Sequence, residues 1–253
     1  MQSRQAKILS LVSKKIKVSV AELSEALKVS DVTVRKDLSQ LEQSGLLRRE
    51  HGFAAMVTTD DVSKRLSFNY EIKRNIARKA LESVKDGETV MIESGSCCAL
   101  LAEEIAQNRQ GATIITNSVF IATFLRNKFG SRIILLGGEY QHDSQVMVGP
   151  LVKQGAENFH VEKFFIGTDG FNERGAMSGD MMRAAAVRDM AENSLYPIIL
   201  TESKKFSQMG VVPLLPFEKI HSIYTDSEID ISTLQNLENQ NIKVCTTDKE
   251  EIK

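Results

Sequence analysis

The stretch VSDVTVRKDLSQLEQSG, residues 29–45, decides the fold of the N-terminal part of the chain. Ser30 is a residue type that caps helix N-termini and Gly45 a type that ends helices, so a helix is predicted from Asp31 to about Ser44. Three apolar residues recur at the i, i+4, i+7 spacing of a core-facing stripe: Val34, Leu38 and Leu41. This helix is predicted to pack one face on a core.

The opposite face of the same helix carries an apolar contact, hydroxyls and hydrogen-bond donors. These are the groups that read base edges in the major groove of DNA. The residues predicted to face DNA from this helix are Val32, Thr33, Arg35, Lys36, Ser39 and Gln43.

The residues before this stretch predict a second helix. The sequence Ser19-Val20-Ala21-Glu22 is a capping box that opens a helix through Leu27. A turn of about three residues then joins the two helices, as in a helix-turn-helix.

Residues 46–54 read as a short β-hairpin, the wing of a winged helix. Its basic residues, Arg48, Arg49 and His51, are predicted to contact phosphates or the minor groove. The alternative is an ordinary three-helix domain with a solvated charged face. Two capped helices followed by a basic wing favour binding to double-stranded DNA.

A length of 253 residues predicts one small and one larger domain. A hydrophobic content of 42% and a charged content of 26% are typical of a globular protein. No apolar run approaches membrane-spanning length, and residues 1–16 lack a signal-peptide core, which predicts a cytoplasmic protein. The three cysteines, Cys97, Cys98 and Cys245, have no metal-ligand spacing. No metal and no cofactor is expected.

Charge is distributed unevenly along the chain. Residues 1–57 hold ten Lys or Arg against six Asp or Glu, a balance of +4, whereas the remainder carries −5. A basic head on an acidic body fits a DNA-binding module attached to a regulatory domain. The predicted division is a DNA-binding domain at 1–57, a linker and bridging helix at 58–87, and an α/β sensor domain at 88–253.

Three further segments belong to the N-terminal half. A first helix is predicted over Ser3 to Ser13, with Ile8, Leu11 and Val12 facing inward. Thr58 to Asp61 reads as a linker. One helix is then predicted from Lys64 to Lys85, bridging the two domains.

Beyond Gly87, short apolar runs alternate with stretches of helical periodicity such as 97–107 and 118–129. Such alternation predicts a mostly parallel sheet covered by helices. The predicted strands are 89–92, 113–115, 132–136, 164–166, 198–200 and 222–224.

Polar and glycine-rich loops follow five of these strands. Because ligands of open α/β sheets bind at the carboxyl ends of strands, these loops predict a pocket for a small phosphorylated, hydroxyl-rich molecule. Lys204 would supply a movable cation there. The residues predicted to bind this effector are Glu93, Gly95, Ser96, Cys97, Asn117, Gly137, Gly138, Asp169 and Lys204.

With these residues in view, the chain resembles the DeoR family of bacterial transcription regulators along nearly its full length. The resemblance rests on residues 29–45, on the wing at 48–52, and on blocks in the second half. Those blocks are Glu93-Ser94-Gly95-Ser96, Thr116-Asn117-Ser118, Leu136-Gly137-Gly138, Val148-Gly149-Pro150, Gly167-Thr168-Asp169-Gly170 and Ser203-Lys204.

The resemblance implies a winged helix-turn-helix followed by a sensor domain similar to ribose-phosphate isomerases and CoA transferases. It also implies a repressor, a sugar phosphate or related metabolite as effector, and a homo-oligomer on operator DNA. The chain departs from the family pattern at several positions: Glu93, Cys97 and Cys98 in the phosphate loop, Phe53 in the wing, and Arg183 and Glu202 elsewhere.

Two other interpretations compete with a regulator that senses a metabolite. An isomerase would need a carboxylate that shuttles a proton and a second catalytic group; Asp169 is one candidate acid, with Asp180 and Asp189 as further candidates. The other is a DNA-binding regulator whose pocket is vestigial, or redox-responsive through Cys97 and Cys98. The absence of a clear catalytic constellation favours a protein that is not an enzyme.

Overall fold

A computed structural model describes residues 3–15, 17–43, 46–55, 62–126 and 130–247. The chain divides into two compact units, Met1–Glu71 and Ile72–Lys253. The predicted helix end at 44–45 and the predicted linker at 58–61 lie outside the described residues. The domain limits drawn from the sequence stay predictions.

The first unit combines four helices with a small antiparallel sheet. Its strands lie in the order β1-β3-β2. The elements are α1 (Ser3–Lys15), β1 (Lys17–Ser19), α2 (Val20–Leu27), α3 (Asp31–Gln43), β2 (Arg48–Glu50), β3 (Phe53–Ala55) and α4 (Val62–Ser67). The predicted winged helix-turn-helix is confirmed.

The predicted caps form as the sequence requires. The Glu22 backbone N–H donates to Ser19 Oγ at 3.1 Å, and the Ser19 backbone N–H donates to the Glu22 carboxylate at 2.9 Å. The Thr33 backbone N–H donates to Ser30 Oγ at 3.3 Å at the start of α3. Both helices of the helix-turn-helix therefore begin where side chains satisfy their first amides.

Two predictions for the helices were wrong in detail. Leu11 is only half-buried, and Leu9 is fully buried in its place. The single helix expected from Lys64 to Lys85 is two helices, α4 and α5 (Tyr70–Leu81), because Asn69 between them adopts a left-handed conformation with φ 52°. Asparagine tolerates this conformation better than most residues.

The second unit is built on a seven-stranded sheet in which all neighbouring strands are parallel. Five shorter strands form two antiparallel sheets beside it. The strands are β4 (Thr89–Ile92), β5 (Ala112–Thr116), β6 (Ser131–Leu135), β7 (Glu139–Gln141), β8 (Val146–Val148), β9 (Val161–Ile166), β10 (Gly170–Asn172), β11 (Gly175–Ser178), β12 (Ser194–Leu200), β13 (Val212–Pro216), β14 (Ser222–Thr225) and β15 (Lys243–Thr246).

Helices and two short 3₁₀ turns, at 203–207 and 217–219, connect these strands. The helices are α6 (Ser96–Asn108), α7 (Val119–Phe124), α8 (Pro150–Ala156), α9 (Met181–Ala191) and α10 (Ile231–Asn239). Helix α7 ends at Phe124, earlier than the prediction of 118–129, whose last three residues lie outside the described part. The predicted parallel α/β architecture is confirmed.

The strand order of the large sheet is β15-β14-β12-β9-β4-β5-β6. The chain starts at β4 and winds outward to β6, then restarts at β9 and winds outward in the opposite direction to β15. The order therefore reverses between β4 and β9. In sheets of this kind the crevice beyond the carboxyl ends of the two strands at the reversal is the place for a ligand.

Candidate functional site

Helix α3 has a buried face and an exposed face, as the sequence predicts. Val34, Leu38 and Leu41 are at most 1% exposed, whereas Val32 is 76% exposed. Arg35, Lys36 and Gln43 are also exposed, and Thr33 and Ser39 are half-buried. Val32 lies three and four residues before Arg35 and Lys36, so one apolar side chain and two cations share this exposed face.

Asp37 lies on α3 but belongs to the interior. Its carboxylate, 3% exposed, accepts hydrogen bonds from Nε and Nη2 of Arg4 on α1 at 2.5 and 3.1 Å. The hydrogen bond to Asp37 raises the pKa of Arg4 above its ordinary value. This two-point contact fixes the first helix against α3. Neither capping nor apolar spacing in the sequence indicated that Asp37 is buried.

The three basic residues of the wing have different surroundings. Arg48 Nη2 lies 2.8 Å from Glu50 Oε1, and Lys17 of β1 also pairs with Glu50. Hydrogen bonding from Lys17, aided by Arg48, lowers the pKa of Glu50. Arg49 instead extends back to α3, and His51 is exposed in the turn at Gly52. The charge of Arg48 is therefore partly compensated before any DNA arrives.

In the second unit, the sheet places the five predicted loops at one edge. They follow the five neighbouring strands β12, β9, β4, β5 and β6. Parallel strands end on the same side, so the loops lie next to one another in that order. The residues in them that were predicted to bind an effector are Glu93, Gly95, Ser96, Asn117, Gly137, Gly138, Asp169 and Lys204.

Glu93 lies at the reversal point and holds its two sides together. Its Oε2 accepts hydrogen bonds from the backbone N–H groups of Gly95 at 2.7 Å and Gly167 at 3.0 Å, and Ser94 Oγ donates to Oε1 at 2.7 Å. Three donors satisfy this nearly buried carboxylate. These bonds join the loops after β4 and β9, and the predicted contact of Glu93 with an effector stays a prediction.

The first turn of α6 starts beside Glu93. Gly95 is the N-cap residue and provides no side-chain hydrogen bond to the helix amides, and Ser96 at the first position is half-buried. Cys97 and Cys98 are buried, and burial raises the pKa of the Cys97 thiol to about 12 and that of Cys98 well above its ordinary value. Burial and raised pKa values favour a packing role for both thiols, and the predicted contact of Cys97 with an effector stays a prediction.

Asn117, after β5, offers a buried hydrogen-bond acceptor. Its Nδ2 donates to the Met147 carbonyl at 2.9 Å, which fixes the orientation of the amide. Within the described residues, the Oδ1 atom has no hydrogen-bond partner although the side chain is 1% exposed. A buried acceptor without a donor costs free energy, so this position suits a ligand hydroxyl or amine.

Lys204 was predicted to supply a movable cation at this edge. Its Nζ lies 3.0 Å from Glu202 Oε1, while Nζ of Lys73 on α5 lies 3.5 Å from Glu202 Oε2. Lys73 and Glu202 are both buried. Burial lowers the pKa of Lys73, and the Glu202 carboxylate opposes that shift. Lys73, Glu202 and Lys204 thus form a cluster of two cations around one carboxylate.

The candidate acids for an isomerase have structural partners. Asp169 Oδ2 accepts a hydrogen bond from the Gly179 backbone N–H at 2.8 Å, and Asp180 caps α9 at the Arg183 backbone N–H at 2.7 Å. Lys153 lies 3.9 Å from Asp189. Among the described residues, no three His, Cys, Asp or Glu are grouped to hold a metal ion. Nor does the described part contain a helix long and apolar enough to cross a membrane.

Sequence comparisons give the family. Residues 4–60 match the DeoR-like helix-turn-helix domain, and residues 68–227 match the DeoR C terminal sensor domain. The transcriptional repressor AccR of Agrobacterium fabrum is 31% identical over 232 residues, covering 89% of this chain and 90% of the relative. The lactose phosphotransferase system repressor of Staphylococcus aureus is also 31% identical over 232 residues, covering 89% and 92%.

Solved structures are more distant. Ribose 5 phosphate isomerase A from Neisseria gonorrhoeae is 17% identical, with a TM-score of 0.39 over 54% of this chain and 53% of that one. The eIF2B delta subunit from Chaetomium thermophilum is 13% identical, with a TM-score of 0.44 over 81% and 75%.

The two domain matches together cover most of the chain in the order that the structure shows. The relatives that align along nearly its whole length are regulators of transcription and not enzymes. The chain belongs to the DeoR family of DNA-binding transcription regulators.

Proposed function

We propose that this protein is a repressor whose winged helix binds double-stranded operator DNA and whose second unit binds a small phosphorylated sugar or related metabolite that controls this binding. The observation that carries the DNA half is the exposed face of α3, where Val32, Arg35 and Lys36 stand opposite the buried stripe. Lys36 and Arg35 supply donors for base edges or phosphates, and Val32 suits a thymine methyl group.

The chemistry of the loop edge supports a ligand with an anionic end and a hydroxyl-rich end. The start of α6 presents backbone amides at the positive end of the helix dipole, and Ser96 adds a hydroxyl. Lys204 and Lys73 place two cations around the Glu202 carboxylate in the loop after β12. The Asn117 Oδ1 atom accepts from a hydroxyl. A sugar phosphate combines these groups in one small molecule.

Two features of the proposal come from relatives. The matched relatives from Agrobacterium fabrum and Staphylococcus aureus are named repressors, and one of them is the repressor of a sugar phosphotransferase system. We infer repression for this chain by that analogy, and also assembly as a homo-oligomer, since two copies of a winged helix read two half-sites of an operator.

A thermal-shift screen followed by DNA titration tests the proposal. The protein is mixed with pentose and hexose phosphates, with the matching unphosphorylated sugars and with inorganic phosphate alone. A ligand of the folded second unit raises the melting temperature, and its phosphorylated form must do so at lower concentration than the sugar. The same compound should then release the protein from a duplex selected by the protein from a random library.

Two results would overturn the proposal separately. If no duplex is enriched over random sequence, the DNA half fails. If a duplex is enriched but no phosphorylated compound changes either the melting temperature or the DNA affinity, the pocket is vestigial and the protein is a DNA-binding regulator without a metabolite effector.

A further inference from the structure

The wing and helix α3 are joined through Arg49. The Arg49 backbone N–H donates to Glu42 Oε1 at 2.8 Å, and its Nη1 donates to Ser39 Oγ at 2.7 Å. Ser39 and Glu42 are three residues apart on α3 and therefore lie on the same side of the helix. Strand β2 thus contacts the recognition helix at two points, one through backbone and one through side chain.

The hydroxyl of Ser39 is already in use. It donates its proton to the Arg35 carbonyl at 2.9 Å and accepts from Arg49. A hydroxyl has one proton to donate, so Ser39 cannot donate to a base while this bond persists. The sequence placed Ser39 among the residues that read DNA, but the geometry gives its hydroxyl to the arginine.

Arg48 and Arg49 differ in the partner of their guanidinium. Arg48 pairs with the Glu50 carboxylate, whereas the described partner of the Arg49 guanidinium is the neutral Ser39 hydroxyl. Within the described part of the chain, no carboxylate lies within ion-pair distance of the Arg49 guanidinium. The full positive charge of Arg49 therefore stands on the side of α3 that also carries Arg35 and Lys36.

Resting on the proposed binding of operator DNA, we propose that Ser39 is a positioning residue that holds Arg49 of the wing on the DNA-facing side of α3, so that Arg49 determines sequence specificity together with the helix. A guanidinium has five N–H donors, and the bond to Ser39 uses one of them. The remaining N–H donors of the guanidinium can pair with O6 and N7 of a guanine in the major groove. Arg48, partly compensated by the Glu50 carboxylate that it shares with Lys17, contributes charge to non-specific binding instead.

A double-mutant cycle tests this inference. The probes are a duplex that the wild-type protein selects from a random library, and an unrelated duplex of the same length. The variants are Ser39→Ala, Arg49→Ala, the double variant, and Ser39→Thr, which keeps the hydroxyl. Arg48→Ala is the matched control from the same strand, and Lys36→Ala is the control from the same helix.

The expected result is loss of specificity without loss of stability. Arg49→Ala should weaken binding to the selected duplex about ten- to hundredfold and to the unrelated duplex much less. Ser39→Ala should weaken binding to the selected duplex about three- to tenfold. The double variant should bind this duplex no more weakly than Arg49→Ala alone. Ser39→Thr should restore most of the affinity. Melting temperatures should stay near wild type, because the Ser39–Arg49 bond lies at the surface.

The inference fails if the losses of Ser39→Ala and Arg49→Ala multiply, because Ser39 then acts on DNA without Arg49. It also fails if Arg48→Ala and Arg49→Ala lower affinity for both duplexes equally, since Arg49 is then an ordinary phosphate contact. If Lys36→Ala loses affinity for the selected duplex but Ser39→Ala and Arg49→Ala do not, the proposed DNA interface stands and this inference is overturned.

Discussion

Lys204 Nζ lies 3.0 Å from Glu202 Oε1, so the cation at the ligand edge is held by a carboxylate two residues earlier in the chain. An anionic ligand must compete with that carboxylate for the ammonium group. Charge-assisted hydrogen bonds of this kind contribute about 1.5–3 kcal/mol each. If the proposed effector carries its phosphate to Lys204, Glu202 is the group that its phosphate must displace.

Removing the cation should weaken the response without weakening DNA binding. In Lys204→Ala we expect normal affinity for the selected duplex, and an effector midpoint raised about tenfold or more. Ser96→Ala should behave likewise. Operator titrations against effector measure both midpoints, with Lys205→Ala as the neighbouring control. Unchanged midpoints in Lys204→Ala and Ser96→Ala would place the ligand elsewhere.

Lys73 should give stability a measurable pH dependence. Burial lowers its pKa in the folded protein below the ordinary value of 10.5. Between those two pKa values the unfolded chain binds more protons, so the contribution of Lys73 to the free energy of unfolding increases as pH rises. That contribution is complete above 10.5 and is lost as pH falls through the folded pKa. In denaturant unfolding, the free energy of unfolding of the wild type minus that of Lys73→Met should increase with pH. A difference that does not change with pH contradicts the burial of Lys73.

The cysteines of α6 should be inert. With a pKa of about 12 for Cys97, only about one thiol in ten thousand is ionised at pH 8. We expect thiol reagents to label the half-buried Cys245 first, and Cys97 and Cys98 only after unfolding. Mild oxidant should not release DNA. Oxidant-dependent release that disappears in Cys97→Ser/Cys98→Ser would support the redox alternative instead.

Gly95 should tolerate a side chain poorly. A Cβ atom there would lie 3.0 Å from both Glu93 Oε2 and the Gly167 Cα. Gly95→Ala should therefore cost about 1–3 kcal/mol of unfolding free energy through overpacking. Gly137→Ala is the matched control at the same edge, because nothing lies within 4 Å of its Cβ position. Equal melting temperatures for the two variants would contradict the close approach of the loops.

Lys36 should contribute to operator affinity from the centre of the exposed face. Lys36→Ala is expected to weaken binding to the selected duplex by about 1–3 kcal/mol if it reads a base. The control variant is Lys7→Ala, which removes an exposed lysine of α1, and footprinting compares the two variants on the same duplex. A Lys36→Ala footprint identical to that of wild type would remove this residue from the interface.

The sequence predicted elements whose signal is local. Capping residues and apolar spacing located α2 and α3, and apolar runs located six of the seven strands in the large sheet. Strand β15, Lys243–Thr246, was missed because it is a half-exposed edge strand with polar residues. Strand β1 was missed because three residues are too few to show a periodicity. It forms only by pairing with β3, which lies far along the chain.

The site was harder to predict because its central contacts join distant residues. Nothing near Lys73 in a basic helix indicates that it is buried, since its partner Glu202 follows more than a hundred residues later. The contact between Ser39 and Arg49 depends on how the wing folds back on α3. The break at Asn69 was hidden because helical periodicity continues on both sides of it.

The reversal between β4 and β9 also divides the large sheet into two contiguous pieces of chain. Strands β4 to β6 form one piece and strands β9 to β15 the other, and the register joining them contains two residue pairs, Met91–Phe164 and Ile92–Phe165. Glu93 extends this short seam through its bond to the Gly167 amide. A molecule bound across the seam would clamp the two pieces together and slow hydrogen exchange of the Glu93 amide, which donates to the Phe165 carbonyl.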